Sequence, residues 1–320
     1  MAHDRNETAR RAARHPIVTE RPRLTLDQLR VFVAVAERQH VTRAAEALNL
    51  AQSAASAAIA SLEARHQVRL FHRAGRGIAL TEAGEAFLPE ARAVLARAEV
   101  AEAMLDDIVG LRRGRLAVHA SQTIAAYWLP RHLAAFRAAW PGVSLHLAVG
   151  NTAETAAAVR AGLVEMGLVE GSVSDPLLEA VPLARDQLLL VVPPGHKLAT
   201  APHVTPRDLR ACEWVLREPG SGTRSAFEAA LTRLGIAPAS LRVVQELPGN
   251  ETVRAAVEAG MGVAVLSASV VAPSLEAGLL VRAALELPSR QFQALRLRER
   301  RGSRAAEALL ALMTGKTRAR

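Results

Sequence analysis

Cysteine occurs once in the 320 residues, at Cys212. A single thiol excludes an internal disulfide and any cysteine-built metal site, and it fits a chain kept in a reducing cytoplasm. Aromatic residues make up 3% of the chain, which argues against a β-sandwich and for helices and α/β units rich in alanine and leucine. Lysine stands only at Lys197 and Lys316, so the basic charge is almost wholly arginine. No apolar run reaches the roughly 18 residues a membrane-spanning helix needs, so no membrane partner is expected. The start of the chain, residues 1–23, carries Arg5, Arg10, Arg11, Arg14, Arg21 and Arg23 without an apolar stretch. It reads as a disordered basic tail rather than a secretion signal. His119, His146 and His196 lack the spacing of a metal site, and neither metal nor cofactor is expected.

What the chain does have is length and apolar content. Half its residues are hydrophobic, enough for two or three separate cores. The formal charge of +9 favours a polyanionic partner such as double-stranded DNA, although an arginine-rich genome would give the same surplus.

The periodicity of the first third is helical. Thr25 and Gln28 form a capping box, and Leu29, Phe32, Val33 and Ala36 follow on one helix face as far as Gln39-His40. Thr42 is placed to cap a short second helix through Leu48, and Asn49-Leu50 make a turn. A third helix is expected over Gln52–Arg65, with Ala55, Ile59 and Leu62 facing inward. Short strands at Val68–Phe71 and Ile78–Leu80 flank a basic loop. Three helices and a basic hairpin, 24–81, describe a winged helix-turn-helix.

Thr81 then caps a long helix, part of a linker over 82–112. Phe87, Ala91, Val94, Ala98, Ala101, Leu105 and Ile108 step along it by alternating fours and threes. That is a heptad seam for pairing two copies of the chain, the alternative being a helix that lies on its own domain. Pro89 lies inside the same helix.

Beyond Arg112-Arg113-Gly114 strands and helices alternate, which predicts mostly parallel sheets. The units are too many for one small sheet. Two lobes are therefore expected, lobe I from 113–185 and 268–313 and lobe II from 186–267, before a basic tail at 314–320. The expected whole is an α-rich winged helix-turn-helix with a linker helix, followed by a two-lobed α/β domain.

The stretch from Leu24 to Leu95 carries the motifs TRAAEAL, Q-x-A-x-S-x-x-I-x-x-LE, RLF-x-R and LTEAG. It resembles the DNA-binding domain of LysR-type transcriptional regulators. The resemblance continues through PGVSLHL, Gly167–Gly171 and AGMGVAVLSAS at Ala259–Ser269, which are similar to the effector domain of that family. It implies a periplasmic-binding-protein-like fold with a ligand between two lobes, assembly as a homodimer or homotetramer, and RNA polymerase as a further partner. The GNT at Gly150–Thr152 and REPGSGTR at Arg217–Arg224 resemble a branch with CysL-like regulators of sulfur assimilation and CbbR-like regulators of carbon fixation. The sequence departs from the pattern at Ala51, Ala55, Gln67 and Glu165. Gln67 stands where a left-handed cap favours glycine, at a cost of up to about 1 kcal/mol.

Gln52, Ser53 and Ser56 open the third helix on the face away from Ala55 and Ile59. Glutamine bonds adenine through two hydrogen bonds, serine gives or accepts one, and Ala57 and Ala60 leave room for close approach. Arg73 and Arg76 flank the wing, placed for phosphates or a narrow minor groove. Thr42 and Arg43 are expected backbone contacts. In the second domain, Ser121-Gln122-Thr123, Asn151-Thr152, Ser221-Gly222-Thr223-Arg224 and Asn250 stand at four helix starts. Helix N-termini at strand ends point into the crevice of such a fold and favour an anion, to which Arg224 would add full charge. An enzyme reading finds no support: Gly220-Ser221-Gly222 is not a nucleophile elbow, and no P-loop, dinucleotide fingerprint or HExxH occurs. A secreted solute-binding protein shares the C-terminal pattern but would carry no winged helix.

Overall fold

The computed structural model describes residues 24–75, 77–109, 114–300 and 302–315, with the helical backbone alone over 103–109. The tail at 1–23, Arg76, the junction at Arg112-Arg113, the residues after Gly315 and the side chains of Leu105 and Ile108 lie outside the described residues. Two compact units divide between Leu95 and Ala96.

The first unit holds α1 (Leu26–Arg38), α2 (Val41–Ala47), α3 (Gln52–His66), the hairpin β1 (Phe71–Ala74) and β2 (Gly77–Leu80), and the start of α4 (Glu82–Val109). The Thr25–Gln28 capping box opens α1 in both directions. Each of the three short helices is followed by a non-glycine residue in the left-handed region: Gln39, Asn49 and Gln67 at φ 50°, 55° and 52°. Thr81 accepts the Gly84 amide at 3.1 Å and so caps α4. Thr42 does not cap α2. The helix starts one residue earlier, and His40, in extended backbone, precedes it without a side-chain cap.

The hairpin also begins later than expected. Residues 68–70 are not a strand: the Val68 amide turns back to the Glu63 carbonyl at 3.1 Å and the Leu70 amide to the Glu63 carboxylate. Glu63, 8% exposed, takes the Leu70 amide at 2.8 Å and the Phe71 amide at 3.1 Å, and pairs with Arg69 at 3.1 Å. Its carboxylate ties the end of α3 to the base of the wing. Glu63→Ala leaves two amides without their acceptor and should cost about 2–4 kcal/mol in the denaturation of this unit. An unchanged midpoint would show that water replaces the carboxylate.

Two cores flank α1. Val31, Val35, Ala44, Ala45 and Ala55 form one, and Leu29, Phe32, Leu62 and Leu70 form the other. The second core corrects part of the heptad expectation. Ala91 is buried in it at 1% exposure, and Phe87 stacks against Phe32 with ring centroids 5.0 Å apart. Three helices of this size leave Phe32 and Leu62 uncovered, so the first turns of α4 complete the domain rather than a seam. Val94 is 44% exposed, Ala98 half-buried and Ala101 exposed.

The second unit runs β3 (Gly114–Ser121), α5 (Leu129–Ala139), β4 (Val143–Gly150), α6 (Thr152–Ala161), β5 (Met166–Glu170), β6 (Leu178–Asp186) and β7 (Leu188–Val192). It continues through α7 (Pro206–Ala211), β8 (Glu213–Arg217), α8 (Gly222–Arg233), β9 (Arg242–Leu247), α9 (Asn250–Glu258), β10 (Ala264–Ser267) and α10 (Ala268–Glu276). It ends with β11 (Val281–Arg282), β12 (Arg290–Leu297) and α11 (Arg304–Thr314). A π-helical turn, Ile124–Trp128, precedes α5. Pro130, with no amide to give Ala126, stands at that change of pitch.

Lobe I is a five-stranded sheet in the order β4-β3-β5-β12-β6. β3 lies parallel to β4 and β5, and β12 antiparallel to β5 and β6. Lobe II pairs β10 and β11 antiparallel to β7 and β8 parallel to β9, with a bridge from Trp214 to Val263. The sheets are thus mixed rather than mostly parallel, because strands that cross between lobes return antiparallel. The return itself comes later than 268. Val270, Val271 and Leu280 fill one face of lobe II, and Ala283, Leu285 and Leu287 the other. The chain re-enters lobe I only at Arg290, because the apolar side of α10 is covered by α9 and β10.

Candidate DNA interface and interlobe site

At the start of α3, Gln52 and Ser53 are exposed and Ser56 half-buried, while Ala55 is fully buried. Gln52 donates to Ser56 at 2.9 Å, so the two side chains sit side by side on the outer face. Ala51 gives no side-chain cap, and its carbonyl takes the Ala54 and Ala55 amides at 3.0 Å and 3.2 Å. Ala54, Ala57 and Ala60 are exposed beside them. Thr42 and Arg43 are exposed on α2. Thr42 and Arg73 line one hollow of about 240 Å³ with His40 and Gly75, and Arg73 has no carboxylate partner among the described residues. The start of α3 thus offers hydrogen-bonding groups among small residues, and the hollow between α2 and the hairpin offers a cation.

In the second unit the expected helix starts do meet. Ser121, Thr123, Asn151, Thr152, Ser221, Thr223 and Asn250 are buried, each 9% exposed or less, and Gly222 is buried with them. They bridge the lobes. Asn250 donates to the Thr123 hydroxyl at 3.0 Å, and the Ala153 amide to the Gly220 carbonyl at 3.1 Å. A methyl group on Gly222 would run into the Glu170 carbonyl oxygen and the Thr152 hydroxyl, so only glycine permits this approach. Gln122 is half-buried, and its Oε1 has no partner.

Arg224 does not face this seam. Its guanidinium reaches Glu228 at 2.8 Å and Glu246 at 2.7 Å, an i,i+4 pair and a pair to β9. Burial works to lower its pKa, but the two carboxylates outweigh that and raise it, which leaves the charge satisfied on α8. Among the described residues the buried cations are two others. Arg217 donates to Glu218 at 2.7 Å and 2.8 Å and to the Asn250 side-chain oxygen. Arg290 binds Asp186 at 2.7 Å and Thr223 at 3.0 Å, with Glu170 at 3.8 Å. Ser267 donates to Asp186 at 2.6 Å, and Ser121 to Glu170. Burial raises the Glu218 carboxyl, but the Arg217 hydrogen bonds and charge outweigh it and hold the group ionised below its usual range. Of these, Arg217 and Glu218 lie inside the REPGSGTR stretch and Glu170 inside Gly167–Gly171, whereas Asp186 and Arg290, 104 residues apart, carry no local mark. Among the described residues no group of three or more His, Cys, Asp or Glu could hold a metal, and no helix is long and apolar enough to cross a membrane.

A winged helix-turn-helix on a two-lobed α/β unit defines a class of protein, the DNA-binding regulator with a small-molecule-binding domain. Two family models match the chain: "Bacterial regulatory helix-turn-helix protein, lysR family" over residues 26–85 and "LysR substrate binding domain" over 110–318. The chain belongs to the LysR family of transcriptional regulators. It is 33% identical to a protein of Nostoc sp. strain PCC 7120 named "Probable RuBisCO transcriptional regulator", over 80% of this chain and 77% of that one. It is 35% identical to the regulator YeiE of Escherichia coli K12, over 83% and 88%. The first of these names agrees with the CbbR-like branch that the GNT and REPGSGTR motifs resemble. Among solved structures, full-length CbnR complexed with its target DNA superposes with a TM-score of 0.68 at 24% identity, covering 92% of this chain and all of that one. The regulatory domain of Synechocystis PCC6803 CcmR in complex with 2-PG gives 0.58 at 24%, covering 64% and 97%. At that identity the likeness shows the fold alone.

Proposed function

We propose that this regulator binds a pseudo-palindromic promoter site as a homodimer or homotetramer and responds to a small anion held between its lobes. Gln52, Ser53 and Ser56 read base edges, while Thr42, Arg43, Arg73 and Arg76 contact the backbone. The later positions of the α4 heptad, from Val94 through Ala98 and Ala101 toward Leu105 and Ile108, pair the copies. Two recognition helices then fall about 34 Å apart on one DNA face. The protein acts by binding, without a catalytic step, in the cytoplasm with its DNA, and affects transcription through RNA polymerase.

The observation that carries the effector reading is the burial of four helix starts, after β3, β4, β8 and β9, along one interlobe seam. Their amides and dipoles favour negative charge. Arg217 is the cation in place, and an incoming oxyanion takes over the guanidinium bonds that Glu218 now accepts. The ligand shifts DNA binding only by its preference for one lobe arrangement, typically about 1–3 kcal/mol. Calorimetry against sulfate, thiosulfate, phosphoenolpyruvate and 2-PG tests this, with Arg217→Ala as the control. Binding that ignores Arg217→Ala, or a neutral ligand that binds better, removes the anion.

For DNA, Gln52→Ala should lose roughly 1–3 kcal/mol on the cognate site and relax base preference there, as read by gel shift on upstream DNA. Unchanged affinity and preference would take α3 out of the major groove.

A further inference from the structure

Beside the interlobe seam lies a cavity of about 310 Å³, where α8 passes the ends of β5 and β12 and the chain crosses back between lobes. That volume is at the small end of metabolite sites, which run from about 300 Å³ upward. One wall is a stripe of α8. Gly222, Ser225, Ala226 and Ala229 recur at helical spacing, all small, and the stripe ends at Arg233. The other wall holds Glu170 and the crossover from Ser289 to Gln293.

The polar groups in this cavity are unequally used. Arg233 is exposed and has no ion-pair or hydrogen-bond partner among the described residues. Gln293 Oε1 is buried with no partner. Glu170 is 2% exposed, and its Oε1 lies 3.8 Å from Arg290, too far for a hydrogen bond. The cavity thus offers one cation on its rim and unfilled acceptors on its inner wall. An apolar ligand would leave those acceptors unpaired, which is costly. A bare inorganic anion would meet the Glu170 carboxylate, and a cation would meet Arg233. What remains is a molecule with a negative head and several hydroxyl donors.

We propose that this cavity binds a small polyhydroxylated anion, its charged head on Arg233 and its hydroxyls on Gln293 and Glu170. The proposal rests on the reading of this unit as a ligand-sensing domain and adds a second ligand at the crossover, apart from the anion held in the seam of helix starts. Both lobes line the cavity, so occupancy bears on their closure.

Titration calorimetry of the full chain tests it. Gluconate and glycerol 3-phosphate carry both halves of the chemistry, as carboxylate and as phosphate ester. Sorbitol has the hydroxyls alone, and inorganic phosphate the charge alone. One of the first two should bind, with sorbitol and phosphate at least about tenfold weaker. At an unchanged melting temperature, Arg233→Ala should lower affinity by about tenfold or more, since a hydrogen bond to a charged group is worth about that factor, and Gln293→Leu by about fivefold or more, since a buried ligand hydroxyl is left unpaired. Thr123→Ala and Asn250→Ala should leave it within about threefold. If neither anion binds, or binding survives both cavity variants, the proposal falls. If binding fails in Thr123→Ala and Asn250→Ala but not in Arg233→Ala, the ligand lies in the seam. The cavity proposal is then overturned while the effector reading stands.

Discussion

Phe32→Ala should unfold the DNA-binding unit while the α/β unit keeps its own thermal transition. Phe32 is completely buried, with Phe87 at 5.0 Å and Phe71 at 5.4 Å between ring centroids, and Leu29, Leu62 and Leu70 in the same core. Truncating such a ring costs about 3–5 kcal/mol. A unit of this size holds only about 3–5 kcal/mol in total, so the substitution exhausts it. Calorimetry should show the loss of one transition of two, and gel shifts the loss of sequence-specific binding. Phe32→Leu, which keeps most of the volume, should cost under about 1.5 kcal/mol and retain both. A Phe32→Ala protein that still footprints its site would mean that the three-ring core is not what holds the helices together.

Arg290→Ala should lower the melting temperature of the α/β unit by about 10 °C. Arg290 and Asp186 are each 4% exposed as side chains and joined by two contacts of 2.7 Å. Removing the cation leaves Asp186 with only the Ser267 hydroxyl and takes from Glu170 its nearest positive charge. Breaking a buried pair from one side typically costs about 3–5 kcal/mol, and a unit of some 200 residues loses about 2–4 °C per kcal/mol. Asp186→Asn, which keeps a polar group for Ser267, should cost less. The double variant Arg290→Ala, Asp186→Ala should recover part of the loss, since no charge is then stranded. Equal melting of wild type and Arg290→Ala would show that water reaches Asp186 and solvates it.

The winged helix-turn-helix was legible because its signals are local. A capping box, helical spacing and turn residues all act within four residues of one another. The misplaced features are those with distant partners. Residues 68–70 look like a strand until Glu63 takes the Val68 amide on its carbonyl and the Leu70 amide on its carboxylate. The heptad spacing of Phe87 and Ala91 is real, but spacing cannot say whether the facing surface belongs to another copy or to Phe32, more than fifty residues back in the same chain. Arg224 stands at a helix start among residues that do meet across the lobes. Its i,i+4 partner Glu228 was visible in the sequence, whereas Glu246 arrives only with β9. β6 was hidden by Pro182, which an edge strand tolerates because one side has no neighbour. α10 was hidden by Pro273 within it. Arg290, Asp186 and Glu170 come together only when the last strand threads back between β5 and β6.

The burial of Phe87 and Ala91 has a mechanical consequence. α4 is a 28-residue helix, and its first turns share a core with Leu62 of α3. As far as Leu95, the first turns of α4 and the three-helix head are thus one machined part. Those first turns cannot rotate without carrying Leu62, and so α3, with them, because the packed core between them leaves no room for slip.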